Sequence, residues 1–113
     1  MCSQTVLHQL LSEVFAQAKE RFGADLDGVI LYGSHARGDA DEESDVDIMI
    51  LVRQPAQQLA RQRQDWNRFG TDLDLKYDVF TSLKLQDAET FYAWQDTLPF
   101  FRNVAKEGVR ISA

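Results

Sequence analysis

Gly33 and Ser34 are followed, after ten intervening residues, by Asp45-Val46-Asp47. Each half is common alone: a Gly-Ser pair can cap a helical turn, and spaced acids often form a solvated loop. Together they place an anion-binding turn beside two carboxylates. Glycine lets a ligand approach the backbone closely, and a serine hydroxyl and amide at a turn or helix start attract anions. On a strand, residues two apart point to one side, about 6.5 to 7 Å apart. Asp45 and Asp47 so placed offer hard oxygen ligands that suit Mg²⁺, which takes a few carboxylates and leaves its other positions to water and phosphate. The chemistry implied is binding of a metal-complexed polyphosphate.

The surrounding elements must hold that juxtaposition. Residues 31–52, LYGSHARGDADEESDVDIMILV, carry six carboxylates (Asp39, Asp41, Glu42, Glu43, Asp45, Asp47) and then an apolar run. VILYG reads as a buried strand ending at Gly33, and VDIMILV as a second strand with Val46, Ile48 and Ile50 toward the core. Asp39, Asp41, Glu42 and Glu43 are expected to face solvent, and Gly38 to shape the turn. Upstream, Ser3 precedes Val6, Leu7, Leu10, Leu11, Val14, Phe15 and Ala18, spaced at threes and fours up to Phe22-Gly23, which predicts an amphipathic helix with Ser3 as N-cap. Downstream, one long helix is expected from Pro55 to Lys76, weakened at Gly70. A third strand follows over Asp78 to Gln86, then short helices capped at Asp87 and begun at Pro99, with VRI as an edge strand. Strands joined through a long helix imply a parallel crossover, so the class is α/β, with a small mixed sheet of three to four strands flanked by helices. Trp66, Phe69, Tyr77, Phe91, Trp94, Phe100 and Phe101 lie at spacings that predict core packing.

Composition narrows the function classes. A chain of 113 residues fits one domain, here 1–113, and holds no apolar run of the ~18 residues that a membrane helix needs. The N-terminal MCSQTVLHQLL has no basic segment or small-residue cleavage site, so a cytoplasmic location is expected. Cys2, the single cysteine, excludes an internal disulfide and a thiolate metal cluster, and reads as unreactive. A net charge of -6 opposes non-specific nucleic-acid binding. Arg53, Arg61, Arg63 and Arg68 read as the solvated face of a helix. His8 reads as a surface residue, and His35 as solvated beside a possible ligand.

GSHARGDADEESDVDIMILV resembles the GS-x10-DxD signature of the DNA polymerase β-like nucleotidyltransferase superfamily, in its small form, the minimal nucleotidyltransferases. LKYDVFTSLKL and LPFFRNVAKEGVRI are similar to the tail of one bacterial subgroup. The resemblance implies the palm-like fold of that superfamily and transfer of a nucleoside monophosphate, AMP from ATP, to an acceptor hydroxyl with loss of pyrophosphate. It implies that Gly33 and Ser34 hold the β- and γ-phosphates, that Asp45 and Asp47 are catalytic ligands of Mg²⁺, typically two ions ~3.5 to 4 Å apart, and that Arg37 contacts phosphate or acceptor unless it pairs within the acidic loop. Relatives place a third carboxylate on the following strand. Aligned through TSLKLQDAETF, that position falls on Ser82. Asp78 has the same parity but lies four residues, ~13 Å, earlier, and can serve as the catalytic acid only if the strand pairs in a shifted register. Asp72 and Asp74 fall on the preceding helix. The family also implies an antitoxin role beside a helical HEPN toxin. A catalytically inactive nucleotide-binding module that occludes a partner is the competing reading, and a plain structural domain the third.

Overall fold

The computed structural model describes residues 3–112, so the reading of Cys2 lies outside the described residues. Helix α1 spans Gln4–Phe22, and the Ser3 hydroxyl accepts a hydrogen bond from the Val6 amide at 3.1 Å. Its predicted stripe is the buried one: Leu7, Leu10, Leu11, Val14, Ala18 and Phe22 all face the core. Next come strand β1 (Leu26–Tyr32), the single turn α2 (Ser34–Arg37) and strand β2 (Val46–Val52). Helices α3 (Ala56–Ala60) and α4 (Arg63–Tyr77) lead to strand β3 (Thr81–Asp87), followed by α5 (Ala88–Trp94), α6 (Pro99–Glu107) and strand β4 (Val109–Ile111).

The sheet runs β3-β2-β1-β4. β1 is antiparallel to both of its neighbours, whereas β2 and β3 are parallel. The helical crossover thus yields the expected parallel pair, and the four-stranded mixed sheet flanked by helices is the expected α/β class. β2 is central and covered on both faces. Val46, Ile48, Ile50 and Val52 join α1 and α4 in the larger core, while Met49 and Leu51 pack with Phe91, Phe101 and Val104 of α5 and α6. A strand buried on both sides carries a continuous apolar run rather than alternation. That resolves the oddity of VDIMILV, for which one core-facing side was expected.

Three local expectations need correction. The single helix from Pro55 to Lys76 is two helices, with the break at Arg61-Gln62. α4 continues through Gly70, where the missing side chain lets the helix approach the sheet: a β-carbon there would lie 3.3 Å from the Thr81 Oγ1. β3 begins at Thr81, because Asp78 ends α4 in the left-handed region (φ 54°), its amide bonded to the Asp74 carbonyl. Aspartate tolerates that conformation better than most side chains. Asp74 is on the helix as expected, and its carboxylate accepts from the Thr81 amide and hydroxyl, both at 2.8 Å, fixing the entry to β3. Finally, Trp94 and Phe100 are not core: they are 48% and 41% exposed on the α5 and α6 side.

Candidate active site

Gly33 follows β1 with φ 74°, a conformation that only glycine adopts without strain, and it opens α2. The Ala36 and Arg37 amides donate to the Gly33 carbonyl at 3.1 Å, which folds the turn back over the strand end. Ser34 is the first residue of α2, so its amide has no acceptor within the helix.

The second half arrives by strand pairing. Tyr32 and Asp47 are register partners, so the Asp47 side chain leaves the sheet directly beside the bend. A β-carbon on Gly33 would collide with the Asp47 carboxylate, its Cγ only 3.3 Å away. Glycine is needed there twice over, for its backbone angle and for the room that its missing side chain gives the acid. Asp45 precedes β2, is exposed and lies near enough to act on Asp47 electrostatically.

Of the six carboxylates between 39 and 47, Asp47 alone is shielded from bulk water. Asp39, Asp41, Glu42, Glu43 and Asp45 are exposed, and Asp41 closes its own loop by accepting from the Glu43 amide (2.9 Å) and the Ser44 hydroxyl (3.1 Å). Among the described residues no cation is within salt-bridge distance of Asp47. Burial, then the Asp45 charge, raise its pKa above the ordinary aspartate value, while His35 and Arg37 pull it down. The Tyr32 hydroxyl is also pushed up, by burial first and by Asp47 second. The chain therefore folds a half-buried carboxylate against a second one without neutralising either. The donor set is two hard oxygen ligands beside a glycine cradle, and it suits Mg²⁺, which keeps positions for water and phosphate.

The remaining sequence candidates divide. Arg37 pairs with Asp39 (3.3 Å), as the loop reading had it, but also with Glu107 of α6 (3.4 Å), a contact that only the tertiary fold creates. His35 is half-exposed, its Nε2 3.5 Å from the Ser44 carbonyl. Asp78 is not brought to Asp47 by any shifted register: the residue opposite Asp47 on β3 is Ser82, and Asp78 lies before the strand. Among the described residues, no three His, Cys, Asp or Glu side chains form a metal-holding group. Arg53 does not join a helical basic face, because it turns back to Asp27 at 3.0 Å. Tyr32 and Glu107 went unnoticed in the sequence. Adjacency to Gly33 was the one signal for Tyr32, and Glu107 had none.

The geometry has counterparts in known proteins. The model of the nucleotidyltransferase domain matches residues 11–110. Three proteins of Methanocaldococcus jannaschii, each named "Putative protein adenylyltransferase", are similar to the chain. One is 47% identical over 57 residues (50% of this chain, 56% of that protein) and another 36% over 74 residues (66% and 48%), so these two matches span about half of each relative's length. A third is 32% identical over 98 residues, covering 87% of this chain and 90% of the relative. In fold, the chain resembles the crystal structure of a mutant of the toxin-antitoxin MntA-HpeT, with TM-score 0.56, 17% identity, and 88% of this chain and 70% of that one covered. Among the described residues no helix is long and apolar enough to cross a membrane. A bend that opens for an aspartate, an acid pair left uncompensated and a match over nearly the whole chain agree: the protein belongs to the nucleotidyltransferase domain family.

Proposed function

We propose that the protein is a Mg²⁺-dependent nucleotidyltransferase that moves AMP from ATP to a hydroxyl on a partner protein in the cytoplasm, in the manner of an antitoxin acting on a helical, HEPN-type toxin. The observation that carries this reading is the uncompensated Asp47 carboxylate, set against Gly33 and facing the Asp45 charge. A structural domain would have paired or exposed that acid, since a charge drawn out of water without a partner costs stability. Asp45 and Asp47 would hold the metal, and the Gly33-Ser34 turn would receive the distal phosphates. When bound, Mg²⁺ would orient the phosphates and offset charge on the attacking and leaving oxygens. The acceptor oxygen would bond to the α-phosphorus as the bond to pyrophosphate breaks, and the hydroxyl proton would pass to solvent. The chain's own contribution is to fix Asp47 on a central strand with Asp45 just before it and to hold the phosphate turn beside them, which is catalysis by positioning and electrostatics. The names of the relatives support adenylyl transfer to protein, and the fold resemblance to a toxin-antitoxin component supports the partner.

Ser82 favours a second reading. With a hydroxyl rather than a carboxylate opposite Asp47, the domain can retain Mg²⁺-nucleotide and act by occluding its partner. Incubation with Mg²⁺, the product of the neighbouring gene and ATP labelled at either the α- or the γ-phosphate separates the two. Transfer predicts that α-label appears on the partner, that γ-label does not, and that Asp47→Asn removes it. Partner inhibition without label, surviving Asp45→Asn and Asp47→Asn, would replace catalysis with occlusion.

A further inference from the structure

A second cleft opens from the same glycine. It holds about 360 Å³ between the end of β1 and helix α6, and its walls are Tyr32, Gly33, Arg37, Phe100, Asn103 and Glu107. That volume lies within the ~300 to 1,000 Å³ of small-molecule sites. On α6, Phe100, Asn103, Val104 and Glu107 occur at spacings of three and four, so they share one helical face. Val104 is buried and anchors the helix, leaving Phe100 and Asn103 to be explained. The Phe100 ring is 41% exposed, meets Tyr32 edge-on at 5.7 Å and lies under the Lys84 ammonium at 5.0 Å. Asn103 is exposed, and its amide makes no hydrogen bond to another described residue. Arg37 and Glu107 close one side by pairing at 3.4 Å, so the charges on that wall cancel.

These features suit a flat, neutral, aromatic ligand group better than a phosphate. An exposed ring supplies a stacking surface, and an asparagine amide presents one donor beside one acceptor. Adenine offers the complementary pair, its exocyclic amine next to a ring nitrogen. Gly33 belongs both to this cleft and to the bend that accommodates Asp47, so a nucleotide with its phosphates at the bend has its base within reach of the cleft. The geometry points to the cleft between β1 and α6 as the nucleobase subsite, with Phe100 stacking on adenine and Asn103 selecting it over guanine. The assignment rests on the proposed nucleotide-binding role of the Gly33 and Asp47 bend and adds the determinant of nucleotide choice.

Affinities of the whole chain for ATP, GTP and tripolyphosphate, each with Mg²⁺, test it by calorimetry. The wild type should bind ATP at least tenfold more tightly than GTP or tripolyphosphate. Phe100→Ala should weaken ATP about tenfold and leave tripolyphosphate unchanged. Asn103→Asp presents two acceptors, which match the adjacent N–H donors of guanine and oppose the ring nitrogen of adenine. It should move the ATP to GTP ratio at least tenfold toward GTP, and the ratio cancels any general effect of the added charge. Both side chains are exposed, and circular dichroism checks that the variants fold. Unchanged ATP affinity and selectivity in both variants, with binding still abolished by Asp47→Asn, would overturn the subsite alone. Failure of the wild type to bind either ATP or tripolyphosphate would remove the underlying reading and the subsite with it. A change confined to the KM for the acceptor protein would also overturn the assignment, giving the cleft to the acceptor.

Discussion

Two partly buried aspartates stand at opposite ends of the sheet, and the chain treats them in opposite ways. Asp27 occupies the irregularity where β1 slips against β2 between Leu26 and Gly28, a bulge that redirects its side chain. That side chain is only 12% exposed, yet every approach to it is compensated. Arg53 donates at 3.0 Å, the Tyr92 hydroxyl at 2.6 Å, and Arg110 stands at 3.8 Å while donating to the same tyrosine at 2.5 Å. Asp47, five residues or roughly 17 Å along β2 from the strand end that faces Asp27, has an acid for its neighbour and, among the described residues, no cation in contact. The cleft that borders Asp27, about 690 Å³, is larger than the one of about 360 Å³ beside Gly33. Volume is therefore a poor guide to chemistry here. A carboxylate satisfied from within is architecture, and one left wanting a cation is a candidate site.

Three experiments probe that contrast. The largest effect is expected on transfer: Asp47→Asn should lower it by a factor of about 10² to 10³ or more, while Asp27→Asn should leave Mg²⁺-ATP affinity within about twofold. If the Asp27 variant were the one to lose nucleotide, the assignment of the two ends would be reversed. Next comes stability. Asp27→Ala strands two arginines and a tyrosine hydroxyl and should cost about 2 kcal/mol, seen as a fall in Tm of about 8 °C. The smallest effect carries the sign that matters most. Burial and the Asp45 charge raise the Asp47 pKa, so the folded chain holds that proton more tightly than the unfolded chain does. Its contribution to stability is full below the ordinary value of 3.8 and is lost as pH rises through the raised one. In the absence of metal, Asp47→Asn should then melt about 2 °C higher than wild type at neutral pH, with the gain vanishing below the ordinary aspartate value. A lower Tm at neutral pH would mean that Asp47 has an internal partner after all.

The contrast also marks where sequence stops informing. Hydrophobic spacing and caps are local, so α1 with its Ser3 cap, β1, β2, the Asp87-capped α5 and the Pro99 start of α6 were legible in the chain. The Gly33-Ser34 and Asp45-Asp47 motifs were legible for the same reason, because a bend and a two-residue repeat are written in consecutive residues. The break at Arg61-Gln62 was not, since no proline or glycine marks it. Asp78 misled because its parity fits a strand, whereas the end of α4 needed a residue able to turn left-handed.

The amino-acid order alone determined which residues are the candidates for chemistry and that a helix must bridge two parallel strands, because turn propensity, charge and periodicity act over a few neighbouring residues. Only the tertiary structure decided that Tyr32 and Ser82 flank Asp47, that Asp27 is neutralised while Asp47 is not, and that Phe100 and Asn103 face a cleft sharing Gly33. Those relations depend on strand register and on helices distant in sequence packing against one sheet, and a one-residue slip of β2 alone would have turned Asp47 to the other face.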